Sequence, residues 1–133
     1  MSNYDYRNIN YKRKIREILI ELAHKRESIT YSNLLIKSGI DEDVYVKKEI
    51  KKLFLFKTLK SILEYEISKD RPLLTIIVFL ENIKRPSPKF YIIAEELGIK
   101  DMKVEDETFF KEKLEEVYGT WEDIRFYNFF KNQ

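Results

Sequence analysis

The chain has no cysteine, one histidine, three glycines and three prolines in 133 residues, and each shortage removes some chemistry. Without cysteine there is no disulfide, no thiol nucleophile and no thiolate metal site. Three glycines leave little from which to build a phosphate-cradling loop, and no GxGxxG, Walker, GxSxG or HExxH pattern occurs. The single histidine, His24, falls opposite the apolar face of its helix with no evident orienting partner or cleft, so it is not predicted to act as a general base. No apolar run approaches the ~18 residues of a membrane span. The opening "MSNYDYRNINYKRK" lacks the apolar middle of a secretory signal. Together with the missing cysteine, this predicts an intracellular, cytoplasmic protein.

What is present is enough for one sizeable core. Hydrophobic residues make up 44% of the chain, aromatic residues 14% and charged residues 36%. That composition predicts a single domain over residues 10–133, preceded by a flexible polar arm over residues 1–9. Net charge is only +2 but unevenly spread: residues 1–69 hold 15 Lys and Arg against 10 Asp and Glu, and residues 70–133 hold 10 against 13. The halves carry +5 and −3, a hint about partners.

Apolar spacing sets the expected elements. Tyr11, Ile15, Ile18, Leu19 and Leu22 recur at three- and four-residue steps and predict a helix over about residues 10–26. Thr30 has the hydroxyl to cap a helix over 31–38, and Gly39 can end it in the left-handed conformation. Three acids open "DEDVYVKKEIKKLFLF", which predicts a helix over 44–56 with Val46, Ile50, Leu53 and Phe54 inward. A further short helix is expected from Thr58, with Leu59, Ile62, Leu63 and Ile67 inward. The period then changes. "LLTIIVFL" is short and rich in β-branched residues, which favours a strand entered at Pro72. Both alternate sets are apolar, so this segment should be covered on both faces. "KRPSPK" reads as a basic bend, and "FYIIAEELG" as a second strand turning into a short helix that ends at Gly98. Two more helices are expected, one capped by Asp106 and ending at Gly119, the next opened by Thr120 with Asp123.

The order is therefore helix, short strand, helix, helix, strand, basic loop, strand and helices. It predicts an α+β domain with a winged-helix-like core, a β-hairpin wing, and a C-terminal helical extension packed on the hairpin.

Four short motifs carry a resemblance: "ITY" before the second helix, "RPLLT" before the loop, "PSPKF" after it, and "FF" to "VYGTW" near the end. In these the chain resembles a group of small bacterial domains without an assigned activity, over most of residues 15–121. It departs from them at Ser87 and Lys89, where glycines are expected. The resemblance implies one compact domain and brings no catalytic residue with it.

The strongest functional pattern is basic. On a helix over 44–56, Lys47, Lys48, Lys51 and Lys52 form one outward arc, and Lys84, Arg85 and Lys89 lie on the wing. Such charges suit phosphate contacts. Without Arg, Asn or Gln on that arc to read base edges, the predicted activity is salt-sensitive nucleic-acid binding with little sequence preference. The alternative is a protein-binding module, such as an immunity or inhibitor protein, that uses Glu112, Glu115, Glu116 and Trp121 on its acidic, aromatic C-terminal part. An enzyme ranks below both. Glu64, Glu66 and Asp70 with Glu81 and Lys84 lack the spacing of a metal-dependent nuclease, and Glu64 and Glu66 read as surface residues. No catalytic residue, metal ligand or cofactor is predicted. Arg71, held extended by Pro72, is placed to brace a neighbouring acid or helix end, with ligand binding the lesser option. The aromatic residues at 126–130 are read as core first and partner surface second.

Overall fold

The structure, a computed structural model, describes the backbone of residues 3–133 and the side chains of residues 10–133. The arm expected at residues 1–9 falls outside the described side chains, and helix α1 spans Asn3–His24. Strand β1 (Ile29–Thr30) leads directly into α2 (Tyr31–Ser38), and a 3-10 turn (Lys48–Ile50) opens α3 (Lys51–Ser68). A second 3-10 turn (Leu74–Ile77) runs into strand β2 (Val78–Phe79), followed by α4 (Pro88–Glu96), α5 (Asp106–Glu122) and α6 (Ile124–Phe130).

This is a helical domain, and the β-hairpin wing does not exist among the described residues. The two strands have two residues each and pair in parallel, Ile29 with Val78 and Thr30 with Phe79. Parallel pairing needs a long crossover, which α2 and α3 provide. The run after Pro72 is as buried as its doubly apolar pattern implies, with Leu73 to Val78 all enclosed, but it coils. Leu74 N–H donates to the Pro72 carbonyl at 2.8 Å and Ile76 N–H to that of Leu73 at 2.9 Å. The turn packs against α1, α3 and α5 together. A strand presents two faces, whereas a 3-10 turn sends side chains in three directions, which suits a segment surrounded by three helices. Its would-be hairpin partner is instead a helix start: Pro88 occupies the first turn of α4, where its fixed φ and missing N–H cost least.

Two more boundaries differ from expectation. Where two helices were predicted, α3 is continuous. Its buried arc is Phe54, Leu55, Thr58, Leu59, Ile62, Leu63 and Glu66, which leaves Ile50 and Leu53 41% and 49% exposed. Helix α5 also runs through Gly119, and Asp123 rather than Thr120 caps α6 by accepting from Arg125 N–H. At α2 the local signals hold. Thr30 accepts from Asn33 N–H at 3.2 Å, and Gly39 takes φ 89° at the C-cap.

Trp121 lies wholly inside the core. Its ring meets Phe126 edge-on at 4.9 Å, and Phe126 meets Phe130 at 4.5 Å, so α6 closes back over the helices.

Candidate binding surfaces

The end of α3 builds the most ordered charged feature. Asp70 adopts φ 55°, a left-handed conformation that short acidic side chains tolerate. Asp70 N–H then reaches the Ile67 carbonyl and Arg71 N–H reaches that of Glu66 at 2.9 Å, a Schellman-type ending followed by proline. The reversal lays Arg71 against Glu66, with its Nη2 2.8 Å from Oε2 and its Nε 3.2 Å from Oε1. Arg16 of α1 approaches from the other side, Nε to Oε2 at 3.2 Å and Nη2 to Oε1 at 3.4 Å. Glu66 is fully enclosed, and Arg16 and Arg71 are 8% and 7% exposed. Burial opposes the charge on Arg71, but the hydrogen bonds it donates to Glu66 and the charge of that carboxylate outweigh this and raise its pKa. Both arginines also donate to main-chain oxygens near the end of the chain: Arg16 to Phe130 and Lys131, Arg71 to Gln133. Arg71 therefore braces an acid and a chain segment at once. Glu66, read from sequence as a surface residue, is the centre of the network. Its spacing from Leu59, Ile62 and Leu63 already sets it on the buried arc, where a carboxylate demands a partner.

The basic residues expected on one helix over 44–56 and on a wing have other positions. Lys47 precedes the 3-10 turn and Lys48 lies in it, while Lys51 and Lys52 begin α3. Lys47, Lys48 and Lys52 are exposed and form no ion pair among the described residues. Lys51 is half-buried and its Nζ donates to the Asp41 carbonyl. Arg85 forms a double hydrogen bond with Glu107 at 2.9 and 2.6 Å and lies 4.5 Å from the Phe110 ring centre, so its fork is already occupied. Lys84 is exposed, and Lys89 sits over Phe56 at 5.2 Å.

Lys52 and Lys89 nevertheless meet at one feature. Tyr31, Ser32 and Leu35 of α2 face Lys52, Leu55 and Phe56 of α3 across a groove of about 270 Å³, closed at one side by Leu80 and Glu81. A smaller hollow continues it past Phe56 towards Lys60 and Ile93. Tyr31 and Phe56 rings contact at 5.2 Å. The same helices and the segment between them leave Ile36, Val44, Ile50 and Leu53 exposed at 58%, 87%, 41% and 49%.

On the C-terminal part, Glu112, Glu115 and Glu116 are exposed, but Glu115 pairs with Arg26 at 2.5 Å and Glu116 with Lys113 at 3.3 Å. Glu112 lies 4.0 Å from Lys113. Trp121, enclosed by the core, presents no surface to a partner. Lys100 ties the loop before α5, its nearly enclosed ammonium reaching Glu95 and Asp106 at 3.1 Å and the Val104 carbonyl at 2.8 Å. His24 is half-buried, with Nδ1 2.8 Å from the Trp121 carbonyl and its ring stacked 4.0 Å from Tyr127, a packing role.

Among the described residues no group of three or more His, Asp or Glu side chains converges as metal ligands. No described helix is long and apolar enough to cross a membrane. Neither a protein family, a curated protein nor a solved structure matches this chain.

Proposed function

We propose that this chain is a non-enzymatic protein-binding module that takes an acidic, amphipathic segment of its partner into the groove between α2 and α3. One observation carries the reading: exposed Lys52 lines the apolar groove and Lys89 stands over Phe56 in its wall. Nucleic acid accounts for Lys52 and Lys89 but not for the apolar groove they border, nor for the exposed Ile36, Val44, Ile50 and Leu53 on α2, α3 and the segment between them. An amphipathic segment accounts for both, since its apolar side fills the groove and its carboxylates meet the rim. At about 270 Å³ the groove falls below the roughly 300–1,000 Å³ of pockets that enclose small ligands, and suits protruding side chains. The surface thus moves from the C-terminal acids to the opposite charge. An intracellular partner fits a chain without cysteine.

A helical peptide with leucines on one face and glutamates on the other is the probe, followed by fluorescence anisotropy at low ionic strength. Binding is expected to weaken about tenfold in Lys52→Glu/Lys89→Glu and to be lost in Leu80→Glu, with a scrambled peptide inactive. No binding, or equal binding of the scrambled peptide, sinks the proposal.

Nucleic-acid backbone binding is the second reading, favoured by the unpaired state of Lys47, Lys48 and Lys52. Its signature is duplex DNA affinity that falls steeply with salt, is lost in Lys48→Glu/Lys52→Glu, and is insensitive to Leu80→Ser.

A further inference from the structure

We propose that the partner of the α2–α3 groove is a second copy of this chain, which inserts the acidic, apolar-tipped loop between α4 and α5; the inference rests on the groove reading above and names its occupant. Residues 95–106 hold Glu95, Glu96, Asp101, Glu105 and Asp106 against Lys100 and Lys103, a net charge of −3. Within this stretch Met102 and Val104 are 80% and 38% exposed. The groove presents the converse. Its walls are apolar, Lys52 and Lys89 stand at its edge, and Glu81 is the one carboxylate side chain in its lining. Each surface thus offers what the other calls for, apolar side chains for an apolar groove and carboxylates for lysines.

The loop is preorganised. The Lys100 ammonium sits inside it, reaching Glu95 and Asp106 at 3.1 Å and the carbonyl oxygens of Asp101 and Val104 at 3.4 and 2.8 Å. Asp101 Oδ1 accepts from Lys103 N–H at 2.8 Å, and the Asp101 carbonyl accepts from Val104 N–H at 3.0 Å. Enclosing an ammonium is costly unless it is paired and hydrogen-bonded. Here the enclosed charge fixes the turn that leaves Met102 in solvent. A loop already held in shape loses little conformational freedom on docking.

Placement points to a second molecule. The groove is lined from α2, α3, Leu80 and Glu81, whereas Lys100 ties the loop to the end of α4 and the start of α5. Lys89 and Glu96 lie at opposite ends of α4, about 10 Å apart along the helix. The loop therefore meets the groove of another copy rather than its own, and the contact joins unlike surfaces, head to tail. Other exposed apolar side chains carry the wrong charge for this groove: Ile83 is followed by Lys84 and Arg85, Ile124 by Arg125, and Phe129 stands two residues before Lys131.

Sedimentation velocity of the full chain at increasing concentration and low ionic strength tests this. Concentration-dependent self-association is expected, weakened about tenfold or more in Met102→Ser/Val104→Ser and in Lys52→Glu/Lys89→Glu, and reversed by saturating leucine–glutamate peptide. Met102→Ser/Val104→Ser is expected to keep wild-type peptide binding, which reports an intact groove. Glu96→Lys/Glu105→Lys leaves the contacts of Lys100 in place and is expected to lose self-association. Mixed with Lys52→Glu/Lys89→Glu it is expected to associate, because a basic loop then meets an acidic groove. A wild-type chain that stays monomeric while the peptide still binds overturns the second copy as partner and leaves the groove reading standing. A chain that neither self-associates nor binds the peptide overturns both. Self-association that persists in Met102→Ser/Val104→Ser or in the presence of the peptide, or a charge-swapped mixture that stays apart, overturns the loop as the occupant.

Discussion

The two halves of the molecule treat their charges differently. From Asp70 onward, carboxylates meet cations at close range: Glu95 and Asp106 on Lys100, Glu107 on Arg85, Glu115 and Glu122 on Arg26, Glu116 on Lys113, Asp123 on Arg125. In the earlier half the described ion pairs centre on Glu66, and Lys12, Arg13, Lys14, Lys47, Lys48 and Lys52 form none among the described residues. The C-terminal half thus spends its excess acid on its own loops and on Arg26, whereas the N-terminal half leaves cations at the surface. The charge imbalance legible in the sequence is thus matched by a difference in how many of the cations are paired.

The sharpest way to break this comparison is at the one interior cluster of the earlier half. Glu66→Ala leaves two arginines buried against each other and is expected to cost about 3–5 kcal/mol, measured by urea unfolding. Glu64→Ala, two residues away and exposed, should change stability by no more than about 0.5 kcal/mol. Similar costs for the two would remove the distinction between interior and surface charge.

A smaller effect is expected at high pH in the other half. Burial, then the nearby Asp106 and Glu107, push the Tyr91 hydroxyl up to about 12. Between the ordinary tyrosine value near 10 and about 12 the unfolded chain loses this proton while the folded chain keeps it. Stability contributed below pH 10 is therefore lost as pH rises through that window. Melting temperatures followed from pH 9 to 12 should fall less steeply in Tyr91→Phe than in the wild type; identical slopes would remove Tyr91 from the account.

The smallest effect sharpens the contrast. Lys47→Glu and Lys48→Glu replace exposed, unpaired cations and should each leave stability within about 0.5 kcal/mol of wild type. A loss well beyond that in thermal unfolding would mean these lysines serve the fold rather than a partner.

Reading residues in order captured what depends on near neighbours. The cap at Thr30, the left-handed Gly39 and the bracing role of Arg71 rest on spacings of a few residues, and each is observed. No wing forms because β-branched composition states only a preference, and a strand needs a partner edge. Only Ile29 and Thr30 offer one, so the rest of the run coils between three helices. Pro88 suits a loop by residue type, yet its fixed φ equally suits the start of α4, where it lies. Within the candidate sites, Lys52 and Lys89 were legible as basic residues, but their meeting beside Phe56 was not, since it joins α3 to a segment more than thirty residues later.

By itself the sequence determined the charge asymmetry, the burial of the segment after Pro72 and the chemistry absent for want of cysteine and glycine, because these follow from residue type and short-range periodicity. Tertiary structure alone decided that Glu66 lies between two arginines, that Arg85 is occupied and Trp121 enclosed, and that an apolar groove opens beside unpaired lysines. The reason is physical: ion pairs and grooves form between side chains distant along the chain, and their energies depend on distance and solvent exposure, which only packing sets.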